Sequence, residues 1–138
     1  VDKIVAKTKA TIILMGDLKD KKLCQDLTSQ CSSSLVDAVG QTSLLQMAVL
    51  LKRCSLAIVN DGGPLHVAVA AGVKTVSIFG PVDPKVYGPY PSANHLIVQK
   101  LLACQPCYRQ FRKANCDHLS CLKDLSAQEV FNQIERVL

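Results

Sequence analysis

This 138-residue chain has no tryptophan, and three tyrosines and three phenylalanines are its whole aromatic complement. Single-stranded nucleic acid is held largely by bases stacked on aromatic rings, so the sequence reads as having no nucleic-acid partner despite a net charge of +5. Long apolar runs are missing as well. The run Met47-Ala48-Val49-Leu50-Leu51 stops at Lys52-Arg53, well short of the ~18 residues a membrane-spanning helix needs. Lysines interrupt the N-terminal region, which excludes the apolar core of a signal peptide. The expectation is a soluble, cytoplasmic protein.

With 49% hydrophobic and 20% charged residues, the composition is that of a globular domain. Its length suits one domain, 1–138, and not two. The cations are unevenly placed. Lys3, Lys7, Lys9, Lys19, Lys21 and Lys22 crowd the start, while Lys100, Arg109, Arg112, Lys113 and Lys123 surround a cysteine-rich stretch whose one acid is Asp117. A balance of this kind suits phosphates or an anionic membrane surface, although a charge run is usually a solvated face.

Strand and helix patterns alternate along the chain. Thr11-Ile12-Ile13-Leu14-Met15 reads as a strand closed by Gly16, and Asp17 as the cap of a helix with Leu23 and Leu27 four apart. Residues 35–39 form a weaker strand. Ser43 and Gln46 make a capping box for a helix through Leu44, Met47, Ala48 and Leu51, expected to be largely buried. Strands at 55–59, 75–79 and 95–98 follow. Ser126 and Glu129 form a second capping box, with Leu125 and Val130 as its staple, for a helix facing inward through Val130, Ile134 and Val137. Such alternation predicts an α/β fold, a Rossmann-like parallel sheet flanked by helices.

Function is written most densely in Val59-Asn60-Asp61-Gly62-Gly63-Pro64-Leu65-His66. A short β-branched strand runs through two glycines into a helix whose first turn holds a proline. Glycines let the backbone approach a ligand, and the unpaired N–H groups and positive dipole end of a helix favour an anion such as pyrophosphate. A tight turn without a ligand would look similar. A second strand then ends in Gly80-Pro81-Val82-Asp83-Pro84, followed by Tyr87-Gly88-Pro89-Tyr90. Two loops thus leave the carboxyl ends of successive strands, where open α/β sheets bind ligands.

These segments, N-D-G-G-P-L-H-V-A-V-A and F-G-P-V-D-P-K-V-Y-G-P-Y, resemble the donor-binding motifs of the ADP-heptose:lipopolysaccharide heptosyltransferases, glycosyltransferase family nine. The family pattern runs D-[ST]-G-x-x-H-x-A-A and then F-G-x-T-D-P. Gly40-Gln41-Thr42-Ser43-Leu44 upstream and the cysteine-rich tail extend the likeness from about residue 11 onward. The resemblance implies the C-terminal, donor-binding half of a two-domain GT-B enzyme, whose absent N-terminal domain carries the acceptor site and the general base. The chain, which begins with Val1, is accordingly expected to be part of a longer polypeptide.

By that resemblance the donor site comprises Asp61, Gly62, Gly63, Leu65, His66 and Asp83. Asp61 would accept from sugar hydroxyls, and backbone N–H groups near Gly62, Gly63 and Leu65 would stabilise the leaving pyrophosphate. Each has a structural counterpart: Asp61 as a helix cap, His66 as a packed residue, Asp83 as an Asx turn before Pro84. Implied partners are an ADP-sugar donor and, through the other domain, the lipopolysaccharide core. The implied place is the inner face of the bacterial inner membrane, with peripheral association. Two positions depart from the family: Val82 stands where Thr is usual, and Gly62 where Ser or Thr is common.

Seven cysteines remain, four of them in the pattern Cys104-x2-Cys107-x8-Cys116-x4-Cys121. The first pair has metal-ligand spacing, and four thiolates in one loop are the donor set of a structural zinc; four reduced thiols without a ligand are the other reading. Cys24, Cys31 and Cys54 read as small core hydrophobes. No cofactor is expected for the chemistry itself. A different class also fits the sequence, a non-catalytic nucleotide-binding or zinc-stabilised interaction module.

Overall fold

A computed structural model describes the chain except residues 110, 111 and 114 and the side chains of Ser92, Arg109 and Lys113. The cations expected at Arg109 and Lys113 therefore lie outside the described side chains. Internal contacts divide the chain into two compact units, Val1–Val49 with Leu138, and Leu50–Val137.

The first unit opens with helix α1 (Asp2–Thr8), which the lysine-broken N-terminal pattern does not announce. Its Asp2 carboxylate accepts from the backbone N–H groups of Ser32 and Ser33, which hold its pKa below the usual range. Strand β1 (Ile12–Leu14) leads through a capping box of Asp17 and Asp20 into helix α2 (Lys21–Gln30) and then β2 (Leu35–Asp37), parallel to β1. Leu23 and Leu27 do not form the buried stripe their spacing suggests; Leu23 is 69% exposed, and Cys24 is the buried position of α2. Two of the N-terminal lysines are paired, Lys19 with Asp17 at 2.9 Å and Lys21 with Asp37 at 2.7 Å.

Helix α3 (Leu44–Leu51) runs across the division between the units. Its capping box is present, with Ser43 N–H donating to Gln46 Oε1 at 2.8 Å and Gln46 N–H to Ser43 Oγ at 3.4 Å. It is not largely buried, however. Leu45 is 79% exposed, Leu44 and Val49 are exposed too, and Leu51 is its buried residue. Apolar residues on every side make a helix that no single packing face can cover.

The second unit holds a parallel sheet of order β3-β4-β5, formed by Ala57–Asn60, Thr75–Phe79 and His95–Gln99. Helix α4 (Gly63–Ala70) crosses from β3 to β4, and a short helix, α5 (Pro84–Tyr87), lies on the way to β5. Side chains alternate faces along a strand, so near-complete burial of the successive residues Thr75, Val76 and Ser77 shows that β4 is covered on both sides. The two buried hydroxyls are satisfied. Thr75 Oγ1 lies 2.9 Å from His95 Nδ1, and Ser77 Oγ donates to the Leu96 carbonyl at 3.2 Å. The fully buried Leu65 and Phe79, with Val82, form a core cluster against which Val59, Val69, Tyr87, Ile97 and Tyr108 pack.

After β5 the cysteine-rich stretch folds into an antiparallel pair, β6 (Tyr108–Arg109) and β7 (Arg112–Lys113), and a turn of helix, α6 (Ser120–Lys123). Helix α7 (Ala127–Ile134) then packs on β4 and β5 with Ile134 buried and Val130 partly so, as its pattern predicts, but it ends before Val137, which is partly buried in the turn that follows. Its capping box joins Ser126 and Glu129. Lys100, one of the cations flanking the cysteines, donates to Glu129 Oε1 at 2.9 Å.

Glu129 thus accepts from Lys100 and from both the N–H and hydroxyl of Ser126, and these bonds pull its pKa down from 4.5 to about 2. A folded-state pKa below the unfolded one stabilises the fold above pH 4.5, and the contribution is lost as pH falls toward 2. Glu129→Gln should therefore lower the melting temperature at pH 7. The gap from wild type should shrink progressively below pH 4.5 in thermal melts at stepped pH.

Candidate functional site

Adjacent parallel strands bring the two glycine-containing loops side by side. The β3–β4 ladder extends one bond past β3, with Asp61 N–H donating to the Ile78 carbonyl at 2.9 Å. Leu65, one turn into α4, and Val82, three residues beyond β4, then meet Phe79 in the same core cluster. The loops 61–66 and 80–83 are thereby fixed to each other by apolar contact.

Gly62 is the N-cap of α4, at φ 149° and ψ −168°. Side-chain-bearing residues rarely adopt that conformation, so glycine suits this position. Pro64 sits in the first turn, where its missing N–H leaves no bond unmade. The N–H groups of Gly62 and Gly63 have no intramolecular partner among the described residues. Leu65 differs from expectation. Its N–H donates to the Gly62 carbonyl at 3.1 Å and its side chain is wholly buried, so it builds the turn and has no spare donor.

Asp61 does not cap the helix; Gly62 does, and no side chain does so. Its carboxylate has no hydrogen-bond partner among the described residues, and partial burial pushes its pKa up, opposed by the nearby His66. A carboxylate held partly out of water without a donor is matched to an incoming donor such as a hydroxyl. His66 is exposed on the first turn of α4. It also borders a shallow pocket of about 480 Å³ lined in part by Val69, Gly88, Tyr90, Asn94 and His95.

Asp83 caps α5, its Oδ1 accepting from Lys85 N–H at 2.9 Å while its carbonyl accepts from Val86 and Tyr87. The Asx-type reading of this residue is what the structure shows. The family's Thr position is also accounted for: Val82 is 7% exposed and faces Leu65 and Phe79, so the missing hydroxyl has no open side to serve.

Cys104, Cys116 and Cys121 lie within electrostatic reach of Cys107, and burial followed by these neighbours pushes the Cys107 thiol up. Cys121 is buried and Cys104 exposed. Among the described residues, however, no three His, Cys, Asp or Glu side chains form a group able to hold a metal ion. Of the remaining thiols Cys24 is buried, while Cys31 and Cys54 are only partly so. No helix among the described residues is long and apolar enough to cross a membrane.

A family model described as glycosyltransferase family 9 (heptosyltransferase) matches residues 1–118. The chain is 29% identical over 131 residues to lipooligosaccharide heptosyltransferase 2 of Campylobacter jejuni subsp. jejuni serotype O:2, covering 92% of this chain and 40% of that protein. It is 26% identical over 131 residues to lipopolysaccharide heptosyltransferase 2 of Escherichia coli K12, with 92% and 37% covered. Among solved structures, a glycosyl transferase family 9 protein from Veillonella parvula superposes with a TM-score of 0.80 at 26% identity, covering 99% of this chain and 38% of that one. E. coli ADP-heptose lps heptosyltransferase II has the same fold, with a TM-score of 0.77 at 20% identity. The chain thus spans roughly two fifths of the length of these relatives.

The two glycines at the junction should behave differently on substitution. A Cβ on either meets nothing closer than 4.0 Å, so sterics do not separate them. Gly62→Ala should nevertheless destabilise by about 1–3 kcal/mol through its backbone conformation, whereas Gly63→Ala, inside the helix, should be neutral or stabilising by up to about 1 kcal/mol. Urea unfolding of both variants measures the difference.

Proposed function

Because the chain belongs to glycosyltransferase family nine, we propose that it is the donor-binding part of an inverting heptosyltransferase taking an ADP-heptose-like nucleotide sugar. The single observation carrying this reading is the Asp61 carboxylate, partly desolvated and without a donor, set directly before a glycine turn with two unpartnered N–H groups. In the reaction an acceptor hydroxyl oxygen attacks the anomeric carbon. The bond from that carbon to the pyrophosphate oxygen breaks, ADP leaves with the electron pair, and the hydroxyl proton passes to a base supplied outside this chain.

Each element has a chemical task in that scheme. The Gly62 and Gly63 N–H groups, with the positive end of the α4 dipole, receive the charge that grows on the leaving pyrophosphate. Being fixed by the fold, they need no reorganisation as the bond breaks. Asp61 accepts from sugar hydroxyls, and its partial burial strengthens those bonds. His66 lies near enough to Asp61 to moderate its charge, and its exposed ring is available to a phosphate. The acceptor is the lipopolysaccharide core, bound through a partner domain, with the enzyme working peripherally on the cytoplasmic side of the inner membrane. The exposed cations of the chain suit such a surface.

Calorimetric titration with ADP-heptose, ADP and UDP tests the reading on this chain directly. ADP-heptose and ADP should bind well above UDP; equal binding of all three, or none at millimolar concentration, would overturn it. Asp61→Asn should weaken ADP-heptose by about tenfold, the worth of a charge-assisted bond, and leave ADP nearly unchanged. Because burial raises the Asp61 pKa, its ionised form opposes folding at neutral pH, and the same variant should melt no lower than wild type there.

A further inference from the structure

The carbonyl groups of the 80–82 turn are all taken by donors from the chain that follows. Gln99 Nε2 donates to the Gly80 carbonyl at 3.0 Å and to the Val82 carbonyl at 3.1 Å. Gln105 Nε2 donates to the same Gly80 carbonyl at 2.7 Å, while its Oε1 accepts from Leu102 N–H at 2.7 Å. Between them, the N–H groups of Cys107 and Tyr108 both reach the Pro81 carbonyl, at 2.9 and 3.1 Å. Leu122 of α6 covers Gly80 so closely that a Cβ there would lie 3.1 Å from its side chain. The end of β5 and the cysteine-rich stretch after it together therefore clamp the turn that leads into Asp83.

Clamping the carbonyls also aims the amides. In a trans peptide the N–H points opposite to the C=O of the same unit. With the Pro81 and Val82 carbonyls turned into the clamp, the Val82 and Asp83 N–H groups turn away from it. Neither has an intramolecular partner among the described residues. Resting on the donor-site reading above, we infer that Gln99 and Gln105 are positioning residues of this turn: Gln99, through the Val82 carbonyl, aims the Asp83 N–H toward an oxygen of the bound nucleotide sugar, as Cys107 and Tyr108 aim the Val82 N–H through the Pro81 carbonyl, while Gln105 anchors the turn at Gly80, whose peptide unit ends in Pro81 and has no N–H of its own to aim. The glutamines themselves do not touch the ligand. The turn offers two donors and Asp61, on the loop after the neighbouring strand, an acceptor, and such a pair reads a sugar or phosphate edge by complementary polarity.

Gln105→Glu separates this role from mere packing. The new carboxyl keeps an acceptor for Leu102, and when protonated it can still donate to the Gly80 carbonyl; when ionised it faces that carbonyl without a proton. ADP-heptose titrations of variant and wild type should therefore differ by about tenfold at pH 8 and converge to within about twofold near pH 5, where a carboxyl beside a carbonyl regains its proton. Equal affinities at pH 8, or a loss that persists undiminished at pH 5, would overturn the positioning role. Should Gln105→Glu not fold at pH 8, Gln99→Met, close in shape but without donors, takes its place. A folded Gln99→Met chain with tenfold weaker binding supports the clamp, and wild-type affinity overturns it. If the wild-type chain binds no nucleotide at all, the donor-site reading itself falls, and the positioning role with it.

Discussion

Everything at the candidate site depends on one apolar contact, in which Leu65, Phe79 and Val82 bury their side chains together. Phe79 ends the central strand, Leu65 belongs to the helix after β3, and Val82 belongs to the loop after β4. Burying such side chains is worth roughly 1.5–3 kcal/mol apiece. That suffices to hold two loops in register, which a few solvent-exposed hydrogen bonds would not do. The polar groups that matter, Asp61 and the N–H groups of Gly62 and Gly63, need make no stabilising contacts of their own. The Asp61 carboxylate and the two glycine N–H groups stay unpartnered among the described residues because neighbouring apolar residues carry the turn.

The same division of labour appears around the second loop. Its carbonyls are satisfied by Gln99, Gln105, Cys107 and Tyr108, and its carboxylate by the backbone of α5. A peptide group whose acceptor is committed presents its donor on the other side, so satisfying one half of the turn organises the other. The cysteine-rich stretch thus has a mechanical task whether or not its thiols hold anything. Helix α7, docked on β4 and β5, ties the stretch down through the bond between Lys100 and Glu129.

Alternating strand and helix patterns, the capping boxes of α3 and α7 and the strand–glycine–helix junction could be read directly from residue order, because each rests on contacts within a few positions. Ser43 with Gln46 and Ser126 with Glu129 are local bonds, and the structure contains them. Burial was less legible. The spacing of Leu23 and Leu27 and the apolar run through α3 both suggested core, yet most of these side chains are exposed. Periodicity states which side chains share a face; it does not state that the chain supplies a surface to cover that face. Helix α1 was missed because its lysines break the apolar pattern while still fitting a helix.

Residue order by itself therefore determined the class of fold, the family and the two adjacent loops of the candidate site, since all three are written in short contiguous patterns. Tertiary structure alone decided what each loop residue does. Val82 became a core residue, Leu65 spent its N–H on the turn, Asp83 became a cap, and the Asp61 carboxylate was left without a hydrogen-bond partner among the described residues. Gln99 and Gln105 carry no motif, and nothing in their spacing marks them. Their role exists only because a parallel sheet places the end of β5 beside the end of β4, 19 residues away in sequence for the Gln99 to Gly80 bond. A hydrogen bond across that separation depends on the folded path of the chain, which no local pattern encodes.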